Sequence, residues 1–267
     1  MADPGRRYPV DPRLAGVLSH CYAARTPPGM QPQLYHLAPS LEMIVVFNFG
    51  AAIPYAFGDE APGAQVIDRI VILGPLRCMM NYQLQADSDL LVLQFILDGF
   101  YRFLSVTPGE EAAVAERLED VWHLLAAIPD TEQRIAALTD YLLLHIAQSE
   151  PPTQQLLDHV DDIHNPVVNP VKVIAGRYGV SARAVQLRFK KYVGYSPKEL
   201  LRFLRFKQVL AYLLDHPAAK VNWFELVVQF GYHDQSHLIR DFKHYTGVSP
   251  RQFMQLNEDD NFCIGRD

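Results

Sequence analysis

The sequence predicts an α+β multidomain chain: a β-rich N-terminal part, a barrel or sandwich closed by a helical hairpin, and then an all-α C-terminal part with two helix-turn-helix units. Three observations carry this expectation. Residues 35–107 are written as short runs of Val, Ile, Phe and Tyr punctuated by turn residues, whereas everything after Pro108 has a helical period. Strands that precede helices, rather than alternating with them, indicate separate structural units and not a doubly wound sheet. The third observation is a repetition. FKKYVGYSPKE, from Phe189 to Glu199, returns 53 positions later as FKHYTGVSPRQ, from Phe242 to Gln252, and a duplicated unit means one physical task done twice.

The 267 residues suffice for two cores, and their net charge of −6 is unevenly divided. Residues 1–152 hold nine arginines, no lysine and 18 acidic residues. Residues 153–255 hold 14 basic against eight acidic residues, and every lysine lies from Lys172 onward. An acidic front joined to a basic back points to a negatively charged partner, nucleic acid first. Cys21, Cys78 and Cys263 are far apart and form no CxxC pair, which argues against a structural zinc site or a disulfide framework. The opening MADPGRRYPVDPR lacks the apolar core of a signal peptide, and LLVLQFIL, residues 90–97, is too short to span a bilayer. The expectation is a cytoplasmic protein with no membrane partner.

Taken in order, residues 1 to about 33 are rich in Pro and Gly, with a short helix expected around Leu14 to Tyr22. MIVVFNFG, PYAFG, QVIDRIVILGP, CMMNYQLQA and LLVLQFIL each read as strands. Val114, Leu118, Val121 and Leu125 share one helical face, and Ile135, Leu138, Leu142 and Ile146 share another. Asp130 and Gln133 have capping-box spacing between them, so a helical hairpin is expected beside the sheet. The expected division is 1–148 as the N-terminal effector or dimerisation domain, 149–155 as linker, 153–256 as the helical domain and 257–267 as an acidic tail. Residues 156–163 add a short amphipathic helix at its start.

Each repeat is built alike. In the first, Asn169 is the expected N-cap, Pro170 opens a helix to Tyr178, Gly179 and Val180 turn the chain, and Ser181 caps a second helix to about Val193. In the second, a helix from about Asn222 to Phe230 is followed by a turn at Gly231 and a helix capped by Asp234. Helix, glycine turn and capped helix is the helix-turn-helix pattern. Gly194 and Gly247 end the second helices, and SPKE and SPRQ open the next ones as capping boxes with proline at the first helical position. Between the units, residues 197–215 read as one helix of about 28 Å at ~1.5 Å per residue.

The second helix of such a unit offers its N-terminal side chains to base edges in a major groove. Val185 and Phe189 should face the core, which leaves Arg183 and Gln186 outward; Leu238 and Phe242 likewise leave Gln235, Ser236, His237 and Arg240. Arg and Gln can each make paired hydrogen bonds, to guanine and adenine respectively. These six are the candidate base-reading residues, and Lys190, Lys191 and Lys243 are the candidates for phosphate contact. The partner implied is double-stranded DNA.

GYHDQSHLIRDFKHYTGVSPRQF, Gly231 to Phe253, closely resembles the second helix-turn-helix signature of the AraC family of bacterial transcription regulators. GVSARAVQLRFKKYVGYSPKELLRFLRFKQVLAYL resembles that family's first unit and linker helix, and the likeness spans roughly Thr153 to Met254. The resemblance implies a DNA-binding domain attached to a sensing or dimerising N-terminal domain, often a cupin-like barrel. It also implies a homodimer, a possible small-molecule effector and, for an activator, contact with RNA polymerase. Leu187 departs from the pattern, standing where many relatives carry arginine.

No catalytic or cofactor constellation is expected. A metal-using barrel needs clustered histidines, and residues 35–107 hold only His36. His233 and His237 have i, i+4 spacing, but Asp234 is needed as a cap and no cysteine is near, so no metal site is assigned. Two readings stay open for the N-terminal part. Phe47, Phe49, Tyr55, Phe57 and Tyr82 suit a ligand cavity or a plain core. A domain that only dimerises, attached to helix-turn-helix units that bind DNA without specificity, is the alternative to an effector-controlled, sequence-specific regulator.

Overall fold

The computed structural model describes residues 5–40, 42–96, 99–104, 111–147, 170–193, 195–216, 221–257 and 262–263. The expected linker, the expected helix at 156–163, Asn169 and Gly194 lie outside these residues.

Ten strands are described: β1 (Gly5–Tyr8), β2 (Leu18–Arg25), β3 (Gln33–Leu37), β4 (Met43–Asn48), β5 (Ile53–Phe57), β6 (Gln65–Ile67), β7 (Ile70–Leu73), β8 (Met80–Leu84), β9 (Asp89–Phe95) and β10 (Phe262–Cys263). They form two five-stranded sheets, ordered β1-β2-β9-β4-β7 and β10-β3-β8-β5-β6. All pairings are antiparallel except the short parallel contact of β10 with β3. Three N-terminal helices are described, α1 (Gly99–Leu104), α2 (Glu111–Ala126) and α3 (Thr131–His145). Six follow in the C-terminal part: α4 (Pro170–Tyr178), α5 (Ala182–Val193), α6 (Pro197–Asp215), α7 (Trp223–Gln229), α8 (Gln235–Thr246) and α9 (Pro250–Asn257).

Side-chain alternation along the strands builds three layers. Val45 and Phe47 of β4, with Leu91, Leu93 and Phe95 of β9, face α2 and α3, where Val114, Leu118, Val121, Leu125, Leu138 and Leu142 meet them. Ile44, Val46 and Leu90 point the other way, into the space between the sheets, against Tyr35, Ile53, Tyr55, Ile67 and Leu84. The five aromatics left open by the sequence therefore divide. Phe47 and Phe49 belong to the helix side, while Tyr55, Phe57 and Tyr82 belong to the space between the sheets.

The five strand segments expected from sequence are strands here, one of them divided. QVIDRIVILGP breaks at Asp68 and Arg69, so that β6 joins one sheet and β7 the other. Asn48, fully buried, pins that corner by donating from Nδ2 to the carbonyls of Ala51, Ile67 and Asp68 at 3.0, 3.1 and 2.9 Å. The helix expected around Leu14 to Tyr22 is instead a short 3₁₀ turn, Pro12–Leu14, followed by β2. Leu14, Leu18 and Cys21 mimic a helical spacing, but the backbone of β2 is claimed on both sides, by β1 and β9. Helix α1, between β9 and the hairpin, was not expected.

Buried polar groups fasten the helical layer to its sheet. Arg134, only 5 % exposed, sends Nη1 to both oxygens of Asp89 at 2.9 and 3.0 Å and stacks over Phe49 at 4.0 Å. Its Nε donates to the carbonyls of Leu125, at 3.1 Å, and Ile128, the last turn of α2 and the loop after it. Asp130 caps α3 by accepting from the Gln133 backbone N–H at 2.9 Å. Cys21 is buried, and burial pushes its thiol up to about 12, which keeps it protonated.

The β-rich and helical parts touch directly. The Met79 N–H donates to the Tyr245 carbonyl at 2.7 Å, Arg77 lies 3.7 Å from Glu199, and Ala38 joins the core of the helical part. Gly247, at φ 79°, ends α8 where a Cβ would come within 3.1 Å of the Gly58 backbone. A left-handed, closely approached position is one that glycine alone fits without cost.

Candidate nucleic-acid interface

The helical part is held by an aromatic core. Phe203, Phe206, Phe242, Tyr245 and Phe253 are all buried, and Phe206 sits 5.3 Å from Phe242 and 4.6 Å from Tyr245. Because Phe203 and Phe206 lie on α6 and the others on α8 and α9, the spacer helix and the second unit share one core.

Local punctuation sets the ends of these helices. Ser196 accepts from the Glu199 N–H at 3.2 Å, and Glu199 accepts from the Ser196 N–H at 2.8 Å, a complete capping box before α6. Ser249 and Gln252 repeat it before α9 at 3.3 and 3.0 Å. Asn222 caps α7 and Asp234 caps α8, the latter accepting from His237 N–H at 2.7 Å. Ser181 accepts from the Ala184 N–H at 3.1 Å at the start of α5. Ser196→Ala should destabilise the helical part by about 1 kcal/mol, the usual cost of a lost N-cap, measured by urea denaturation. The Ser196 backbone N–H, the Ser196 hydroxyl and Arg77 hold the Glu199 carboxyl below its ordinary 4.5. A depressed carboxyl stabilises above its unfolded value and loses that stabilisation as pH falls below 4.5. Glu199→Gln, which copies the second box, should therefore make stability less sensitive to acid between pH ~5 and ~3.

These caps aim the N-terminal halves of α5 and α8 outward. On α5, Val185 is fully buried, while Arg183, Gln186 and Lys190 are exposed, as is Leu187 at 58 %. The side chains of Phe189 and Lys191 lie outside the described residues. On α8, Leu238 and Phe242 are buried as expected, and Gln235, Ser236, Arg240 and Lys243 are exposed. Arg240 Nε donates to the Ser236 carbonyl at 3.2 Å, which lays the guanidinium along the helix.

His237 differs from its neighbours. Its ring is turned toward the protein, edge-on to the Tyr232 ring at 5.1 Å, and its Nε2 lies 3.8 Å from Oδ2 of Asp241. Asp241 is 2 % exposed and accepts from Arg202 Nε at 2.8 Å. The sequence reading missed both Asp241 and Arg202. The available signal was positional: Asp241 is three residues after Leu238 and four before Tyr245, on the buried stripe. His233 faces elsewhere, 3.1 Å from Asp234. Among the described residues no three His, Cys, Asp or Glu side chains cluster as a metal site. No described helix is long and apolar enough to cross a membrane.

Two capped helices, each following a glycine turn and joined by one spacer helix, define a double helix-turn-helix protein. Residues 174–255 match the family model of the helix-turn-helix domain. Residues 174–255 of the chain thus form a helix-turn-helix domain. No curated protein matches the chain. Among solved structures, ToxT from Vibrio cholerae is 11 % identical, with a TM-score of 0.42 over 88 % of this chain and 97 % of that one. ToxT from strain SCE256 bound to unsaturated fatty acid is 12 % identical, with a TM-score of 0.40 over 87 % and 93 % of the two chains. The AraC-like transcriptional activator CuxR is 11 % identical, with a TM-score of 0.22 over 70 % and 79 %.

Proposed function

We propose that the chain is a sequence-specific regulator that reads two successive major grooves of duplex DNA with α5 and α8. The observation that carries this reading is the paired exposure of polar side chains on the first turns of two capped helices, held apart by the rigid α6. Arg183 and Gln186 read bases from α5, and Gln235, Ser236, His237 and Arg240 read them from α8. Lys190, Lys191 and Lys243 contact phosphate and position the helices without reading sequence. The 19-residue α6 is about 28 Å long at ~1.5 Å per residue, comparable with the ~34 Å between groove segments on one face of the duplex.

The N-terminal part pairs two copies of the chain. Leu144 and Leu124, 80 % and 42 % exposed on the α2–α3 hairpin, are the apolar residues that support a dimer seam there. A small molecule bound between the sheets would act by favouring one arrangement of the paired DNA-binding domains.

The test is selection of bound duplexes from a random library at near-physiological salt, with Arg240→Ala run in parallel. The expected result is a motif in two blocks about one helical turn apart. The variant should lose about 1–3 kcal/mol of discrimination at a single base pair. Unselective binding that collapses as salt rises would mean phosphate contact only and would defeat the proposal.

A further inference from the structure

One buried side-chain oxygen among the described residues makes no hydrogen bond: Oδ2 of Asp241. Its sister oxygen is taken by Arg202, and Nε2 of His237 lies 3.8 Å from Oδ2. A carboxylate accepts only. A nitrogen lone pair turned toward it would be repelled, whereas an N–H is attracted, and more strongly so because Asp241 is shielded from water. In its neutral form His237 is favoured by Asp241 as the tautomer that carries its proton on Nε2 and keeps the lone pair on Nδ1.

We infer that Asp241 makes His237 a hydrogen-bond acceptor toward DNA, so that this position selects a base with an amino group in the major groove, adenine or cytosine. Guanine presents only the acceptors O6 and N7 there, and thymine presents O4 and a methyl group. Asp241 is too deep to touch DNA, so it is a positioning residue acting through His237. Arg202 holds the carboxylate from α6, and Arg205 stacks over Tyr232 at 5.3 Å behind the imidazole. Side chains of the spacer helix thereby influence which base the recognition helix accepts. This inference rests on the reading of α8 as a base-reading helix.

The experiment measures the full-length protein against its selected operator and every single-base-pair variant of it. Wild type, His237→Ala, Asp241→Asn and the double variant are compared. The wild type should prefer adenine or cytosine on one strand of one base pair by about tenfold over guanine on that strand. His237→Ala should erase that preference and leave the ranking at the other positions intact. Asp241→Asn, whose amide accommodates either tautomer, should weaken the preference at that same base pair. It should have no further effect on the ranking in the His237→Ala background, the non-additivity expected of coupled residues. A general loss of helix packing would lower affinity for all operators together and leave the ranking at that base pair unchanged, which would remove the positioning role. A preference for guanine or thymine, or a His237→Ala profile identical to wild type, would overturn the inference while leaving α8 a reader through its other side chains. A wild-type profile flat at every base pair contacted by α8 would overturn the underlying reading as well. His237→Ala, at a partly exposed helical position, keeps the test decisive should Asp241→Asn fail to fold.

Discussion

Phe206→Ala is expected to destabilise the helical part by about 3–5 kcal/mol, the range for emptying an aromatic site in a well-packed core. Phe206 is fully buried, and Phe203, Phe242 and Tyr245 surround it at centroid distances of 6.0, 5.3 and 4.6 Å. Phe203 also packs on Tyr245 and Phe242 on Phe253, so these rings cannot collapse into the space without leaving their own packing. The loss should exceed that at an equally buried residue on a helix end. Because α6 carries Phe206 and α8 carries Phe242 and Tyr245, loosening one releases the other, and DNA affinity should fall with stability. Phe206→Leu, which restores most of the volume, should recover a large part of both. The two tryptophans allow the parts to be followed separately. Trp122 reports on the sheet and hairpin, where it stacks near Phe49 at 6.1 Å, and Trp223 sits on α7. Denaturation of single-tryptophan variants should show the Trp223 transition moving to lower urea. A shift worth less than about 1 kcal/mol would mean that this cluster is not a cooperative core.

Asp89→Ala should cost the N-terminal part a comparable ~3–5 kcal/mol, for a different reason. Removing the carboxylate leaves the Arg134 guanidinium 5 % exposed, over Phe49, with only carbonyl partners for a full charge. Arg25 also pairs with Asp89, at 2.7 Å, but its side chain is half exposed and can return to water. The buried partner therefore dominates the loss. The prediction has a built-in control: Asp89→Ala combined with Arg134→Met should be more stable than Asp89→Ala alone, because the uncompensated charge is gone. The Trp122 transition is the readout. If the double variant were no better than the single one, the penalty would lie in lost packing around Asp89 and not in charge burial.

Much of this molecule is legible one segment at a time. Helix α6 was expected over residues 197–215 and spans Pro197–Asp215, because Ser196, Pro197 and Glu199 act within a single turn and need no tertiary partner. The caps Ser181, Asn222 and Asp234 and the left-handed Gly247 are of the same kind, interactions reaching no more than four residues. Those signals suffice to locate two helix-turn-helix units and the outward faces of their second helices. The apolar runs MIVVFNFG and LLVLQFIL were legible as strands in the same way, though that their two faces meet different layers was not.

What the sequence determined by itself is this local grammar: where helices begin and stop, which stripe is apolar, and that one helix-turn-helix unit is written twice. Tertiary structure decided everything that depends on a distant partner. Leu18 to Arg25 satisfies a helical spacing almost as well as a strand, and only β1 and β9 on either side make it β2. The QVIDRIVILGP run divides between sheets because Asn48, some 20 residues away, holds its corner. Asp241 looks in the sequence like another solvated charge beside Arg240. It is buried because Arg202, 39 positions earlier, supplies the counter-charge that lets a carboxylate leave water. Short-range hydrogen bonds and periodicity are properties of the chain; burial, charge compensation and strand pairing exist only once remote segments meet.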